Sequence, residues 1–365
     1  MPGMQIAEVF PPGDTLCEKL EELGMPVKEF ALRCGKPEPT VHDVLRGRSS
    51  VTPEMAILFE SVLRIPAHVW LNLQSMYDEY DARRRQANAL AEDDGWSDHF
   101  PFAEMVDKGF IRPSRELSSL DKTACLLDYF GFAKTSVWKR IYQDKALPAE
   151  FHVSLSGIPE PFALSAWIRH GERAAMDRGE LPAFSIGKLK ERIPRMRELA
   201  QSGERNCIGE LTGLCEESGI FLVCTPSLKT VEAKSVTRWW RNRPLIQISE
   251  KCSRYDIFWH SFFHGLGHIV LHGKRRMFLE GIEYEQMKAE SEKEANEFAS
   301  RMLFPRAASR RLSKLCVTEK TLDAFCNREH LHWIFVIGSM KKEHREEAFA
   351  KGRSIPEIEL THSAG

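Results

Sequence analysis

His264 and His268 are the residues of this sequence best placed to do chemistry. Four residues apart on a helix, two side chains stand one turn above the other on one face, where both imidazoles can grip a single metal ion. The run around them, DIFWHSFFHGLGHIVLHG, has the histidine spacing of the H-E-x-x-H zinc motif, with Gly265 where that motif has glutamate. Both ligands are present and the general base is not. A zinc site of this type takes two His, one Glu and an open position, so the third ligand is expected from a second helix. The stretch MKAESEKEANEFASRMLFP supplies one, since Ala295, Phe298, Ala299, Met302 and Leu303 recur at helical spacing before Pro305 ends the run. Glu292 and Glu294 both lie at the edges of that apolar face, and helical spacing does not choose between them. His260 and His272 continue the stripe on the first helix and read as supporting or surface residues. Gly265 and Gly267 each cost that helix about 1 kcal/mol against alanine.

FFHGLGHIVLHGK followed by EKEANEFASRMLFP resembles the ImmA/IrrE family of metallo-endopeptidases, whose usual forms are close to FFHELGHILLHGK and ExEANxFA. The resemblance implies zinc held by His264, His268 and, by preference, Glu294, with the catalytic base missing at Gly265. It also implies a zincin-like peptidase domain.

The elements that must carry this site belong to a chain of 365 residues, long enough for two or three domains each with its own core. Lys plus Arg number 51 and Asp plus Glu 52, so no global basic excess marks the whole chain for nucleic acid. There is no run of 18 apolar residues and no charged-then-apolar leader, and a cytoplasmic protein is expected. The nine cysteines (17, 34, 125, 207, 215, 224, 252, 316 and 326) are scattered and never form C-x-x-C, which reads as reduced, mostly buried thiols.

Residues 14–80 read as a compact helical module in which PVKEFALRCG and EPTVHDVLRG, separated by Cys34, Gly35, Lys36 and Pro37, have helix-turn-helix grammar. With PPGDTL before it and VWLNLQ after it, this module resembles the HigA-like antidotes of the XRE repressor family. That resemblance makes Glu38–Arg46 the recognition helix. Thr40 and His42 would face bases, and Lys36, Arg46 and Arg48 would face phosphates. Asp43 could only accept, for instance from a cytosine amine. Residues 1–50 carry eight acidic side chains against six basic ones, so dimerisation or partner binding stays open beside DNA binding.

The charged stretch DARRRQANALAEDDGW, residues 81–96, is expected to be a linker or solvated connecting helix. Helical patterns resume from 97 to 200, with Phe130, Phe132, Trp138 and Trp167 expected in a core. IFLVCT and RPLIQISE then read as strands. Between them, KSVTRWWRNR is similar to the peptidase family's GATRW element, with Trp239 and Trp240 either lining a cleft or forming a hairpin on the sheet. Beyond Pro305 come a helix around LDAFCNREHLHW and a polar tail from 341.

The expected architecture is therefore mainly α with a small α+β domain. It comprises a helix-turn-helix domain (1–80), a helical connector (81–200), a metallopeptidase-like domain with a short sheet (201–310), and a C-terminal helical extension and tail (311–365). The expected function is a DNA-binding regulator of toxin-antitoxin, phage or stress circuits, homodimeric, with a zinc site impaired in catalysis by Gly265. The alternative is an active zinc metallo-endopeptidase that cleaves a repressor or antitoxin-like protein, some other residue supplying the base.

Overall fold

A computed structural model describes residues 9–92, 95–115, 117–143, 155, 157–273, 277–282, 289–315, 318–340 and 354–360. The chain divides into two compact units, Met1–Gly95 with Ser118–Ala124, and Trp96–Leu117 with Cys125–Gly365. It is mainly helical with one small sheet. No helix among the described residues is long and apolar enough to cross a membrane.

The first unit holds α1 (Pro12–Glu22), α2 (Val27–Cys34), α3 (Glu38–Leu45), α4 (Pro53–Leu63) and α5 (Ala67–Glu92). Its core is Leu16, Phe30, Val41, Phe59 and Trp70 with their neighbours. The turn between α2 and α3 works because Gly35 caps α2 in the left-handed region at φ 60°. Gly13 lets α1 come down on the end of α3, since a Cβ there would stand 2.3 Å from the Val44 carbonyl oxygen. The charged stretch from 81 continues α5 as helix to Glu92.

In the second unit, α6 (Phe102–Asp107), the part of α7 (Ser119–Phe130) from Cys125 onward, α8 (Thr135–Tyr142) and α9 (Pro161–Met176) precede α10 (Ile186–Ser202) and α11 (Ile208–Glu217). Then come β1 (Phe221–Thr225), β2 (Ser235–Trp240), β3 (Arg243–Ser249), α12 (Tyr255–His272), β4 (Phe278–Glu280), α13 (Ala289–Leu303), α14 (Arg306–Leu312), α15 (Glu319–Glu329) and α16 (Trp333–Gly338). The sheet order is β1-β3-β2-β4, with β1 parallel to β3 and the other pairs antiparallel. KSVTRWWRNR is thus a strand and a hairpin turn, with Arg241 and Asn242 both at positive φ as a tight two-residue turn requires. Trp239 donates to the Gly273 carbonyl at 3.1 Å.

Alternate strand residues point to opposite sides of the sheet. Leu222, Cys224, Ile246 and Ile248 share a core with α11 and α12. On the other side Gln247 donates to the Trp167 carbonyl of α9 and to Thr225, and Arg238 pairs with Glu172 of α9. Burial alone would raise the Glu172 pKa, but Arg238 and Arg169 together hold it below the usual carboxylate range. The segment expected as a separate connector up to 200 therefore supplies a layer of the sheet domain. Phe130, Trp138 and Trp167 are buried in a second core with Phe132 packed against it. The polar tail from 341 also holds an anchored piece: Ile358 is buried, and the backbone of 356–359 bonds to Tyr255, Ser253 and Arg205. Residues 341–353 and 361–365 of that tail, and Cys316, lie outside the described residues.

Candidate metal centre

α12 runs through the core because Phe258, Trp259, Phe262, Phe263 and Leu266 are buried around it. The stripe His260, His264, His268, His272 is left to face other groups. Gly267 sets how close α13 comes. A Cβ at 267 would lie 3.1 Å from Ala295 Cα and 3.3 Å from Phe298 Cβ, so the two helices meet at small residues. Ala295, Ala299 and Leu303 form the buried stripe of α13.

At that crossing the ring nitrogens Nε2 of His264 and His268 stand 2.9 Å apart. The carboxylate between them belongs to Glu292, at 3.2 Å from His264 Nε2 and 3.4 Å from His268 Nε2. Glu292 lies three residues before Ala295 and seven before Ala299, on the stripe that meets α12. Glu294 is turned away from it, and its carboxylate takes His272 Nε2 at 2.9 Å instead. The expected placement of Glu294 at the histidine pair is thus corrected to Glu292, for the reason that the buried stripe runs 292, 295, 299, 303.

The three groups suit a divalent ion. One ligand atom from each of His264, His268 and Glu292 lies within 4.8 Å of the others. Both histidines are buried, and Glu292 Oε1 is buried without a hydrogen bond among the described residues, an arrangement costly unless a cation completes it. Burial would raise the Glu292 pKa, yet contacts with His264 and His268 hold it down at about 2. Burial likewise works against a charged His264, but Glu292 raises its pKa, whereas burial prevails at His268 and lowers it. Two imidazoles and one carboxylate are a donor set that divalent transition metals take, zinc among them.

Around these three side chains the rings are fixed. His264 Nδ1 is 3.0 Å from Asn296 Oδ1, His268 Nδ1 is 3.0 Å from His272 Nδ1, and His268 stacks on Phe278 of β4 at 3.8 Å. His260 Nδ1 is 3.5 Å from Glu280, whose other oxygen accepts from Ser235 at 2.8 Å. Asn296 and Glu280 were not singled out in the sequence. Asn296 carried a usable signal, four residues beyond Glu292, whereas Glu280 follows its histidine partner by twenty residues. Cys252 is buried and turned to the Lys234 carbonyl, away from the ligand set.

Gly265 faces the sheet. A Cβ there would be 2.6 Å from Thr237 Oγ1 of β2 and 3.2 Å from Ile246 Cγ2 of β3. The place of the expected base is therefore closed by the strand as well as lacking a side chain.

In the first unit Lys36 stands just before α3, Thr40 and His42 lie on it, Arg46 caps it, and Arg48 follows, with Arg46 and Arg48 exposed and the other three half-buried. His42 lies 3.7 Å from Glu38. Asp43 is occupied: Arg48 pairs with its carboxylate at 2.6 Å.

Comparison with known proteins finds two family matches. A helix-turn-helix family matches residues 18–70, and a peptidase family described as the IrrE N-terminal-like domain matches residues 215–324. The chain is similar to YddM of Escherichia coli, described as an uncharacterized HTH-type transcriptional regulator, with 35% identity over 81 residues, which is 22% of this chain and 86% of that protein. Similar solved structures include an addiction module antidote protein of a HigA family from Coxiella burnetii (26% identity, 24% of this chain and 95% of that one, TM-score 0.22). Another is the Pseudomonas aeruginosa antitoxin HigA with the higBA promoter (28% identity, 22% and 90% covered, TM-score 0.22).

Proposed function

Because this chain belongs to the helix-turn-helix transcriptional regulators and also carries an IrrE N-terminal-like domain, we propose that it is a cytoplasmic, homodimeric DNA-binding regulator whose second unit holds one zinc ion without cleaving peptide bonds. The observation that carries the reading is the convergence of His264, His268 and Glu292 at a site where position 265 is glycine. Zinc bound there would supply Lewis-acid polarisation and positive charge. The chain's own residues do the rest of the holding: two imidazoles and one carboxylate bind, while Asn296 and Phe278 orient the rings. A general base is worth roughly 100- to 10,000-fold in rate, and Gly265 offers no atom to accept a proton. The retained ligand set then serves binding, and the partner would be a repressor or antitoxin-like protein in a toxin-antitoxin, phage or stress circuit.

One observation favours the active endopeptidase as a second reading. A cleft of ≈ 950 Å³ opens beside Glu292, with His260, Glu280, Asn296, Lys234 and Phe335 among its walls. The experiment is a time course with a co-encoded regulator, with and without chelator, read by intact mass. No cleavage by a protein that contains zinc supports the regulator. Chelator-sensitive cleavage overturns it in favour of the peptidase.

A further inference from the structure

We propose that Glu294, acting through His272, holds His268 in the tautomer that can bind a metal ion. The inference rests on the reading of His264, His268 and Glu292 as the ligand set.

His272 stands one turn beyond His268 on α12. Its Nδ1 is 3.0 Å from His268 Nδ1, and its Nε2 is 2.9 Å from Glu294 Oε2. The donors in this chain can be assigned from one end. A carboxylate oxygen accepts from a ring N–H, so His272 Nε2 carries the proton. A neutral imidazole has one N–H, which leaves His272 Nδ1 as an acceptor. His268 Nδ1 must then be the donor, and His268 Nε2 keeps a bare lone pair. That nitrogen is the one 2.9 Å from His264 Nε2 and 3.4 Å from Glu292. Reversing the chain would place the proton on His268 Nε2 and close the site.

The other ligand is set in the same sense. Asn296 Oδ1 accepts from His264 Nδ1 at 3.0 Å, and His264 Nε2 is left bare. α13 therefore presents Glu292 to the metal position, and Glu294 and Asn296 to the outer nitrogens that fix the two rings. Second-sphere partners of this kind orient ligands and raise their basicity. The His272 side chain is 10% exposed and that of Glu294 56%, so the outermost bond is the one water can replace in part.

The test uses the full chain. Zinc affinity is measured by competition with a chromophoric chelator for wild type, His272→Phe, Glu294→Ala, Glu294→Gln and Glu292→Ala, and ring-nitrogen NMR of the zinc-free proteins reads the His268 tautomer. Expected are zinc affinities about 10- to 100-fold lower for His272→Phe and a smaller loss for Glu294→Ala. Glu294→Gln, whose amide oxygen still accepts, should stay near wild type. The zinc-free wild type should carry the His268 proton on Nδ1, and His272→Phe should show both tautomers. If His272→Phe does not fold, the exposed Glu294→Ala carries the test. Unchanged affinity and tautomer in the variants of a zinc-binding wild type would overturn the inference. So would loss at Glu294→Gln as complete as at Glu292→Ala, which would make Glu294 a ligand. A wild type that takes up no zinc would instead overturn the ligand reading on which the inference rests.

Discussion

Thr237 on β2 stands where a side chain on residue 265 of α12 would begin, its hydroxyl oxygen 2.6 Å from the position of a Cβ. That hydroxyl is buried and makes no hydrogen bond among the described residues, so its removal is cheap. Gly265→Ala should therefore destabilise the protein, since crowding of this kind costs about 1–3 kcal/mol against a helix-propensity gain of about 1 kcal/mol. In a Thr237→Ala background the same change should cost less, with Ile246 Cγ2 at 3.2 Å as the remaining close contact. Urea unfolding of the four proteins in a double-mutant cycle measures the coupling, and additivity would show that the two positions do not meet. Placing glutamate at 265 therefore calls for the Thr237 change beside it in any test for peptidase activity.

The ligand set makes a second prediction. Purified wild type should carry about one zinc per chain, and His264→Ala, His268→Ala and Glu292→Ala should each bring that content close to zero. Metal analysis after extensive dialysis decides it. A full complement of zinc in Glu292→Ala would place the third ligand elsewhere.

The sequence offered Glu292 and Glu294 alike, and the choice between them was not legible in it. The periodicity of Ala295, Phe298, Ala299, Met302 and Leu303 marks a broad apolar face, and its centre depends on which of those residues meets the neighbouring helix. Only the packed helices show that Ala295, Ala299 and Leu303 form the buried stripe, while Phe298, though it meets α12 at Gly267, is half-buried. The longer helices of both units were legible because each buries a stripe at 3.6-residue spacing, whereas the short α14 and α16 were not read as helices. β2 was harder, since Ser235 and Thr237 put polar side chains on its buried face and the aromatic residues cluster at its end. β4 has three residues, and its pairing with β2 spans more than forty positions. The role of α9 was hidden for the same reason. Glu172 and Arg238 are 66 residues apart, and no local pattern announces that they will be buried together.

That pair gives a prediction about pH. Folding lowers the Glu172 pKa, because the two arginines outweigh burial. Its contribution is therefore complete above the ordinary carboxylate pKa and is lost as pH falls through the lower folded value. Glu172→Ala leaves Arg238 buried beside no carboxylate, a change that costs about 3–5 kcal/mol. Thermal unfolding at neutral pH should show the full loss. The gap between wild type and variant should narrow as the pH is taken below the carboxylate range, and a gap independent of pH would show that packing, not charge, holds the layer.

DNA binding by the first unit can be tested through its cations. Phosphate contacts release counterions, and the logarithm of the binding constant falls with the logarithm of salt by about 0.9 per contact. Arg46 is exposed at the end of α3 and no ion pair holds it among the described residues, whereas Arg48 is paired with Asp43 at 2.6 Å. Lys36→Ala and Arg46→Ala should each weaken binding on every sequence tested and reduce the salt slope by about 1. Arg48→Ala should do less, because its cation is already half neutralised by Asp43. Asp43→Asn should strengthen binding by freeing Arg48, while Thr40→Ala should weaken it on one operator and leave non-specific DNA unaffected. Fluorescence anisotropy on the promoter of the chain's own gene, at several salt concentrations, separates these outcomes. A salt slope that none of the three cation variants changes would remove α3 from the DNA interface and leave the module to dimerisation or partner binding.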